Sequence, residues 1–492
     1  MKYLNLTFLK LGTYAFILGM RPTIISNDQW AQLEFSMAEL GDRRRTQRLV
    51  KVAQALAQCP QGVLPQSFDQ WRELKGAYRL FSNPGVSYEK IIEPHWEHTR
   101  QECRAPGEYL MIEDRSELDY SSHRATQGLG RIGNDRGRGL MLHTTLAARV
   151  EGWQLDQTPE VSLIGLLDQQ CWARKGTSKR AQKERWRQRM SRERESQYWG
   201  RVIKQLGPPA CQTRWIYVAD RESDIYEVFE DTQDQGWDCV VRAQFSRALT
   251  DHDQKLFETV AQSSCLGCYE LEIRNKENGG KRVAQIEVRS TQVTLRGVWR
   301  PGGNRPDRTL NVVEAREINA PDKVEPVLWV LLTNLPCRTF VEARRIIAFY
   351  ARRWLIEEYH KALKSGVNVE DSQLESTDRL KALLGVLAVV AVRLLQAKLL
   401  ARTHPDEKVP VESIGPEALE ILSAKFEKPP GGWTNASLLI AIARLGGFIG
   451  RRSDGLPGWQ TIWRGWQRLM TMVEGIRTVA PDLRLPRTKR CG

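Results

Sequence analysis

The sequence predicts an α/β protein with a mixed sheet, flanked at both ends by helical segments. Three observations carry this. Short apolar runs of strand length recur through the middle of the chain, and two of them, Tyr109–Ile112 and Trp215–Ala219, end at an acid. These runs follow the order of three strands, helix, strand, helix, strand, which is an α/β layout. Amphipathic segments with helical spacing lie on either side. With 492 residues, 41% of them apolar, the chain has material for about three domains with sizeable cores.

Taken in order, residues 1–20 come first. Leu4–Met20 is largely apolar behind Lys2, but Lys10 interrupts it and no small-x-small cleavage site follows. It reads as an upstream-start extension, with Met20 a candidate start. Residues 21–90 read as a small basic helical module. Asp42 is a good N-cap for a segment in which Leu49, Val52, Ala53 and Leu56 recur at helical spacing, and Gln70–Phe81 reads as a second helix ended by Asn83-Pro84. Arg43, Arg44, Arg45 and Arg48 crowd the start of the first helix. Such a run is either a solvated helix face or a DNA contact.

The central domain spans 91–390. Its strands are Tyr109–Ile112, Leu140–Val150, Val161–Leu167, Trp215–Ala219 and Cys239–Val241, with helices over Gln197–Leu206 and Ser223–Asp231. Residues 243–327 interrupt it as a β-rich insertion, with alternating segments at Tyr269–Ile273, Ala284–Val288, Val293–Val298 and Leu310–Ala315. Leu328–Thr333 is a further strand. A long helix is predicted over Val341–Ser365, stopped by Gly366, and an apolar buried helix over Leu380–Leu400. Residues 391–492 form a helical C-terminal domain. In it Trp459, Trp463 and Trp466 share one helix face, as a core stripe does.

The charge balance names a class of partner. Lys and Arg number 73 against 59 Asp and Glu, a net charge of +14, so a polyanion is expected. No stretch approaches the roughly 20 apolar residues of a membrane span, so no membrane partner is expected. Nine thinly spread cysteines fit a reducing cytosol better than a disulfide scaffold. Cys265-Leu-Gly-Cys268 is a lone pair without a second pair or histidine beside it, so no zinc site is expected. Gly128-Leu-Gly-Arg-Ile-Gly133 matches a dinucleotide fingerprint in letters only, because it leads into a strand rather than a helix; it reads as a flexible loop. Arg174–Arg194 carries ten basic residues and two acids, and is either a solvated segment or a DNA contact.

The chemistry is concentrated in three places. Asp114 and Asp220 follow apolar strands, where carboxylates of an α/β sheet project into a crevice. In the long helix Tyr350, Arg353, Glu357 and Lys364 are three, four and seven residues apart, within an arc of about 60° on an unbroken helix. This combination resembles the DDE transposases of bacterial insertion sequences, of the Tn-five type, in the branch whose signature is Tyr-(2)-Arg-(3)-Glu-(6)-Lys. Leu40–Thr46, Gly76–Arg79, Ile112–Asp114, Asp220–Ile225, Val392–Gln396 and Ala441–Phe448 extend the resemblance over nearly the whole chain from about residue 25.

The resemblance implies an RNase H-like catalytic fold, with Asp114, Asp220 and Glu357 as an acidic triad holding two Mg²⁺ ions, Mn²⁺ being a substitute. Hard divalent cations take carboxylate oxygens and stabilise both the attacking and leaving oxygens of phosphodiester cleavage. Glu113 and Glu358 are competing choices, and the family register favours Asp114 and Glu357. Tyr350, Arg353 and Lys364 are then expected on DNA phosphates, and Arg44, Arg45 and Arg48 on the element's ends. Trp329 occupies the position that stacks on a flipped base, although by itself it reads as sheet core. The reading is a cut-and-paste transposase acting on double-stranded DNA ends and target as a homodimer, in a bacterial cytoplasm and associated with the nucleoid. A catalytically silent end-binding protein and a structure-selective RNase H-like nuclease are the alternatives.

Overall fold

The computed structural model describes residues 27–479, apart from 61, 134–135, 156, 175–194, 275–280, 323, 411–413 and 452–453. The extension expected over 1–20, and all of the basic stretch except Arg174, lie outside the described residues. Two compact units share the chain. One takes in the residues up to His98, Leu118–Leu129 and the residues from Tyr359 onward; the other takes in Thr99–Glu117 and Gly130–Glu358.

The second unit is built on the mixed sheet. Its strands are β1 (Gly107–Asp119), β2 (Gly130–Ile132), β3 (Gly137–Gly152), β4 (Glu160–Trp172), β5 (Thr213–Ala219), β6 (Asp238–Arg242), β7 (Cys265–Arg274), β8 (Lys281–Leu295), β11 (Arg308–Glu317) and β12 (Leu328–Thr333). β9 (Trp299–Arg300) and β10 (Gly303–Asn304) make a separate small ribbon. The order is β2-β3-β1-β5-β6-β12-β11-β8-β7, with β4 also on β3. β1, β5 and β6 run parallel; β4 lies antiparallel on β3, and the flank from β12 to β7 is antiparallel throughout. The path β4-β3-β1-β5-β6 is the RNase H-like arrangement. β5 reads as an unbroken apolar run, Trp215 to Ala219, all five residues buried, as a parallel strand covered on both faces requires. Trp199, Phe229 and Trp237 pack with Trp215, Tyr217 and Ala219 in a continuous core.

The segment 243–327 is β-rich as expected, and its strands β7, β8 and β11 continue the same sheet outward from β12. Several expectations need correction here. Ala284–Val288 and Val293–Val298 are parts of β8 and its exit, one strand running on to Leu295. Gly130–Ile132 of the glycine-rich stretch is not a loop, since it pairs with β3 as β2. The long helix over Val341–Ser365 is broken into Phe340–Ala351, Trp354–Lys361 and a π-helical turn, Ala362–Gly366.

The first unit is helical. Asp42 caps Arg43–Gln58 by accepting from the Arg44 backbone N–H at 2.8 Å. Asn27–Phe35, Trp71–Phe81 and Tyr88–Glu102 complete the N-terminal side. The helix Thr377–Thr403 runs through this unit and packs on Arg43–Gln58, Trp71–Phe81 and Asn435–Leu445. It is long and apolar enough to cross a membrane, contrary to the expectation above. However, 61% of its most apolar window is buried inside the unit, as befits a core helix. Beyond it, Pro416–Lys425, Asn435–Leu445 and Trp459–Val479 enclose a core of Leu422, Leu438, Ala441, Ile442, Leu469 and Val473. The last two helices cross at two glycines: a Cβ on Gly465 would stand 1.7 Å from the Ile442 carbonyl oxygen. Trp459 and Trp463 stack at 5.7 Å in the interior, as a core stripe should.

Candidate active site

The sheet register sets two acids beside each other. Glu113 of β1 lies opposite Ala219 of β5, and the next residue on each strand is an aspartate, Asp114 and Asp220. Asp220 does follow its strand, and its carboxylate accepts from the Glu222 backbone N–H at 2.8 Å. Asp114 does not end its strand, because β1 continues to Asp119. Its carboxylate accepts from the Arg115 backbone N–H at 2.7 Å.

Successive residues of a strand face opposite ways, and this separates Asp114 from its neighbour. Glu113 is 1% exposed. It accepts from Tyr217 Oη, from the Gly200 backbone N–H at 3.0 Å and from Thr145 Oγ1 at 3.3 Å, and it pairs with His143 Nε2 at 2.9 Å. A carboxylate so fully engaged is part of the core's polar framework. Glu358 is turned about 100° from Glu357 along its helix.

Arg353 joins two of the three acids. Its Nη1 donates to Asp114 Oδ2 at 3.0 Å, and its Nη2 donates to Glu357 Oε1. The guanidinium is 13% exposed and the Asp114 carboxyl 15%. Burial pushes the Asp114 carboxyl up from 3.8 to about 6; Asp220 and Glu357 add to the rise, while the Arg115 N–H and Arg353 hold it back. Burial opposes the charge on Arg353, but Tyr350, Glu357 and Asp114 together take its pKa upward. The site is therefore an excess of negative charge partly met by one cation.

The other predicted residues divide. Trp329, half-buried on β12, meets the Tyr350 ring edge-on at 4.9 Å. Tyr350 is buried at the end of Phe340–Ala351, and Arg353 lies beside its ring. Trp329, Tyr350, Arg353, Asp114 and Glu357 thus form one contiguous group in the second unit. Lys364 belongs to the first unit, on the π-helical turn, where its charge acts on Asp119. Tyr350, Arg353, Glu357 and Lys364 do not share one unbroken helix, because Arg352 and Arg353 form a turn between two helices and Lys364 lies on a π-helical turn. Arg44 is exposed and tied to Asp42. Arg45 donates to the Leu40 carbonyl at 2.9 Å, and Arg48 pairs with Glu73 of the next helix. Arg45 and Arg48 therefore also serve the fold of their own module.

The sequence reading passed over two arginines at the group's margin. Arg115 reaches Glu222 at 2.9 Å and Glu195 at 3.2 Å. Arg242, the last residue of β6, lies near enough to Tyr350 for its charge to hold down the rise that burial gives the phenol, and it donates to the Leu328 carbonyl at 2.7 Å. A basic residue closing a buried strand was the available signal for Arg242.

Among the described residues no three His, Cys, Asp or Glu side chains stand together as a ready metal cage. The chemistry of the donors fits a hard divalent cation nonetheless. Asp114, Asp220 and Glu357 offer only carboxylate oxygens, and their mutual repulsion, seen in the raised Asp114 pKa, is what a cation relieves.

Comparison with known families identifies three regions of the chain. A transposase DNA-binding family matches residues 27–86, the transposase DDE domain matches 166–393, and the transposase Tn5 dimerisation domain matches 389–481. The chain has the architecture of a Tn5-type DDE transposase. The DNA-binding region of the transposase is the helical module with Asn27–Phe35, Arg43–Gln58 and Trp71–Phe81. The dimerisation region holds the last turns of Thr377–Thr403 and the three helices after it. DDE transposases use divalent metal ions, in keeping with a donor set made of carboxylates alone.

Proposed function

We propose that this transposase excises its element by cut-and-paste chemistry on double-stranded DNA, with Asp114, Asp220 and Glu357 as its catalytic acids. What most supports this is the Asp114–Arg353–Glu357 bridge beside Asp220. The three acids would hold two Mg²⁺ ions, with Mn²⁺ as a substitute. Bound there, the metal supplies Lewis-acid stabilisation of charge on phosphate oxygens and lowers the pKa of water.

The chain's own residues supply the rest. In the metal-free protein Arg353 acts as a resident counter-ion, keeping Asp114 and Glu357 from repelling each other. Once cations meet that negative charge, the guanidinium is free to turn to a DNA phosphate. Arg is suited to this because its planar fork matches phosphate oxygens. Tyr350 and Lys364 hold the neighbouring backbone, and Trp329 stacks on a base turned out of the duplex. The reaction proceeds by hydrolysis of one strand. The freed 3′-hydroxyl then attacks the opposite strand to give a hairpin, which is reopened and joined to target DNA.

The domain roles follow the same reading. Residues 21–90, with Arg44, Arg45 and Arg48, grip the element ends; 91–390 carry the chemistry; 391–492 pair two copies. Action on the DNA of a bacterial cytoplasm is part of the proposal. The test uses a duplex bearing an element end, with Mg²⁺ added. Asp114→Ala, Asp220→Ala and Glu357→Ala should each abolish nicks and hairpins while end binding persists. Normal cleavage by all three variants sinks the assignment. Binding without cleavage by the unaltered chain would favour a silent end-binding protein.

A further inference from the structure

Cys265 and Cys268 take no part in the site above. Both thiols are free and exposed, on β7, the strand that ends the sheet. In a regular strand residues three apart point to opposite faces. Here a bulge intervenes. Cys265 lies opposite Arg289 of β8, Gly267 opposite Val288, and Cys268 opposite Glu287. Leu266 is the extra residue of the bulge. Arg289 and Glu287 are two apart on β8 and share a face, so the two cysteines opposite them share it as well. The bulge thereby turns a spacing of three into one of two.

The result is a pair of exposed thiols on one face of β7, opposite neighbouring same-face residues of β8. Cys265 Sγ also lies 3.6 Å from the Gly267 carbonyl oxygen. Arg289 and Glu287, bonded to each other at 2.9 Å, stand opposite the pair with charges that largely offset one another. Burial pushes the Cys268 thiol up, Cys265 adds to the rise, and Arg289 draws it back. No third His, Cys, Asp or Glu completes a metal site here among the described residues, so the arrangement suits two-electron sulfur chemistry. The bulge rests on the second unit's helix Phe340–Ala351. A Cβ on Gly267 would stand 2.8 Å from Phe340 Cδ2, and the Arg344 guanidinium covers the Tyr269 ring at 3.4 Å.

We propose that Cys265 and Cys268 form a reversible thiol–disulfide pair, oxidised by a low-molecular-weight disulfide such as glutathione disulfide. The thiolate of one cysteine attacks the glutathione S–S bond, giving a mixed disulfide and releasing one glutathione thiolate. The thiolate of the other then attacks the cysteine sulfur of that mixed disulfide. This closes the Cys265–Cys268 bond and releases the second glutathione. Two thiol protons pass to solvent or to the departing thiolates, and two electrons pass to glutathione. Closing the pair alters the bulge against Phe340, at the start of the helix that carries Tyr350.

The test uses the full chain, fully reduced, then incubated with glutathione disulfide, quenched in acid, alkylated and digested with trypsin. Leu256–Arg274 contains these two cysteines and no other. The expected result is that this peptide escapes alkylation at both positions, is lighter by two hydrogens than its reduced form, and regains both alkylations after dithiothreitol. In Cys265→Ser or Cys268→Ser the remaining thiol should instead be trapped as a glutathione adduct. Full alkylation of both cysteines in the oxidised sample overturns the proposal, as does a crosslink between two copies of the peptide.

Discussion

Replacing Asp114 by asparagine should stabilise the metal-free protein. The carboxyl is 15% exposed and its pKa rises from 3.8 to about 6, burial being the largest cause. That is a displacement of roughly two pH units, at about 1.4 kcal/mol each, so the ionised group costs the fold about 3 kcal/mol. The attraction of Arg353 already counts against this figure, since it is one of the influences holding the pKa down. The sign follows from the direction of the shift. An acid whose pKa is higher in the folded state binds its proton more tightly there. The cost is therefore fully present above pH 6, is relieved as pH falls from about 6 to 3.8, and is absent below. Asp114→Asn should gain about 3 kcal/mol at pH 8 and roughly half of that at pH 5. Asparagine retains an oxygen to accept from the Arg115 N–H. Urea unfolding in a chelator, followed by the fluorescence of buried Trp199, Trp215 and Trp237, measures the difference. A variant no more stable than the unaltered chain at pH 8 refutes the reasoning, and so does a gain that is independent of pH.

Other expectations follow from the same contacts. Arg353→Ala removes the cation that bridges Asp114 and Glu357. It should cost about 1–3 kcal/mol and move the Asp114 midpoint further up, read by carboxyl NMR titration; an unchanged midpoint would deny Arg353 its counter-ion role. Burial alone would raise Glu34, but His95 at 2.8 Å and then His98 take it from 4.5 down to about 2. Glu34→Gln should lose about 3 kcal/mol near pH 5, a difference that vanishes as pH falls from 4.5 towards 2 in acid-unfolding curves. Gly465→Ala would set a methyl against the Ile442 carbonyl oxygen. It should cost about 3 kcal/mol or more and lower the thermal midpoint seen by circular dichroism.

Much of the sheet was legible because buried strands are written in apolar runs. Tyr109–Ile112, Trp215–Ala219 and Cys239–Val241 all lie within β1, β5 and β6. The end of β1 was not legible, because its second half, Asp114-Arg-Ser-Glu-Leu-Asp119, is polar and looks like a loop. Arg115 is paired there with Glu195 and Glu222, and Glu117 with Arg174, residues far along the chain that no local pattern reveals. The helix Tyr88–Glu102 was hidden by Pro94, an ordinary stop signal that this helix carries inside it. The break at Arg352-Arg353 has no glycine or proline to announce it. Arg352 donates to the Pro159 carbonyl and Arg353 to two acids, so tertiary contacts end the helix there. The acids of the candidate site and Arg353 were named from sequence, but the contact of Arg353 with Asp114, 239 residues away, was visible only in three dimensions.

The way the chain divides also limits how such a protein can lose its parts. Its path passes from one unit to the other four times, and three of those passages fall inside regular elements: in the helix Tyr88–Glu102 after His98, in β1 three residues after Asp114, and in Trp354–Lys361 one residue after Glu357. No single cut therefore yields an intact half. A gene copy truncated anywhere before residue 357 loses Glu357 together with Thr377–Thr403, the long apolar helix of the helical unit. The protein made from such a copy should be degraded as an unfolded chain, and should not persist as a binder competing for the same DNA.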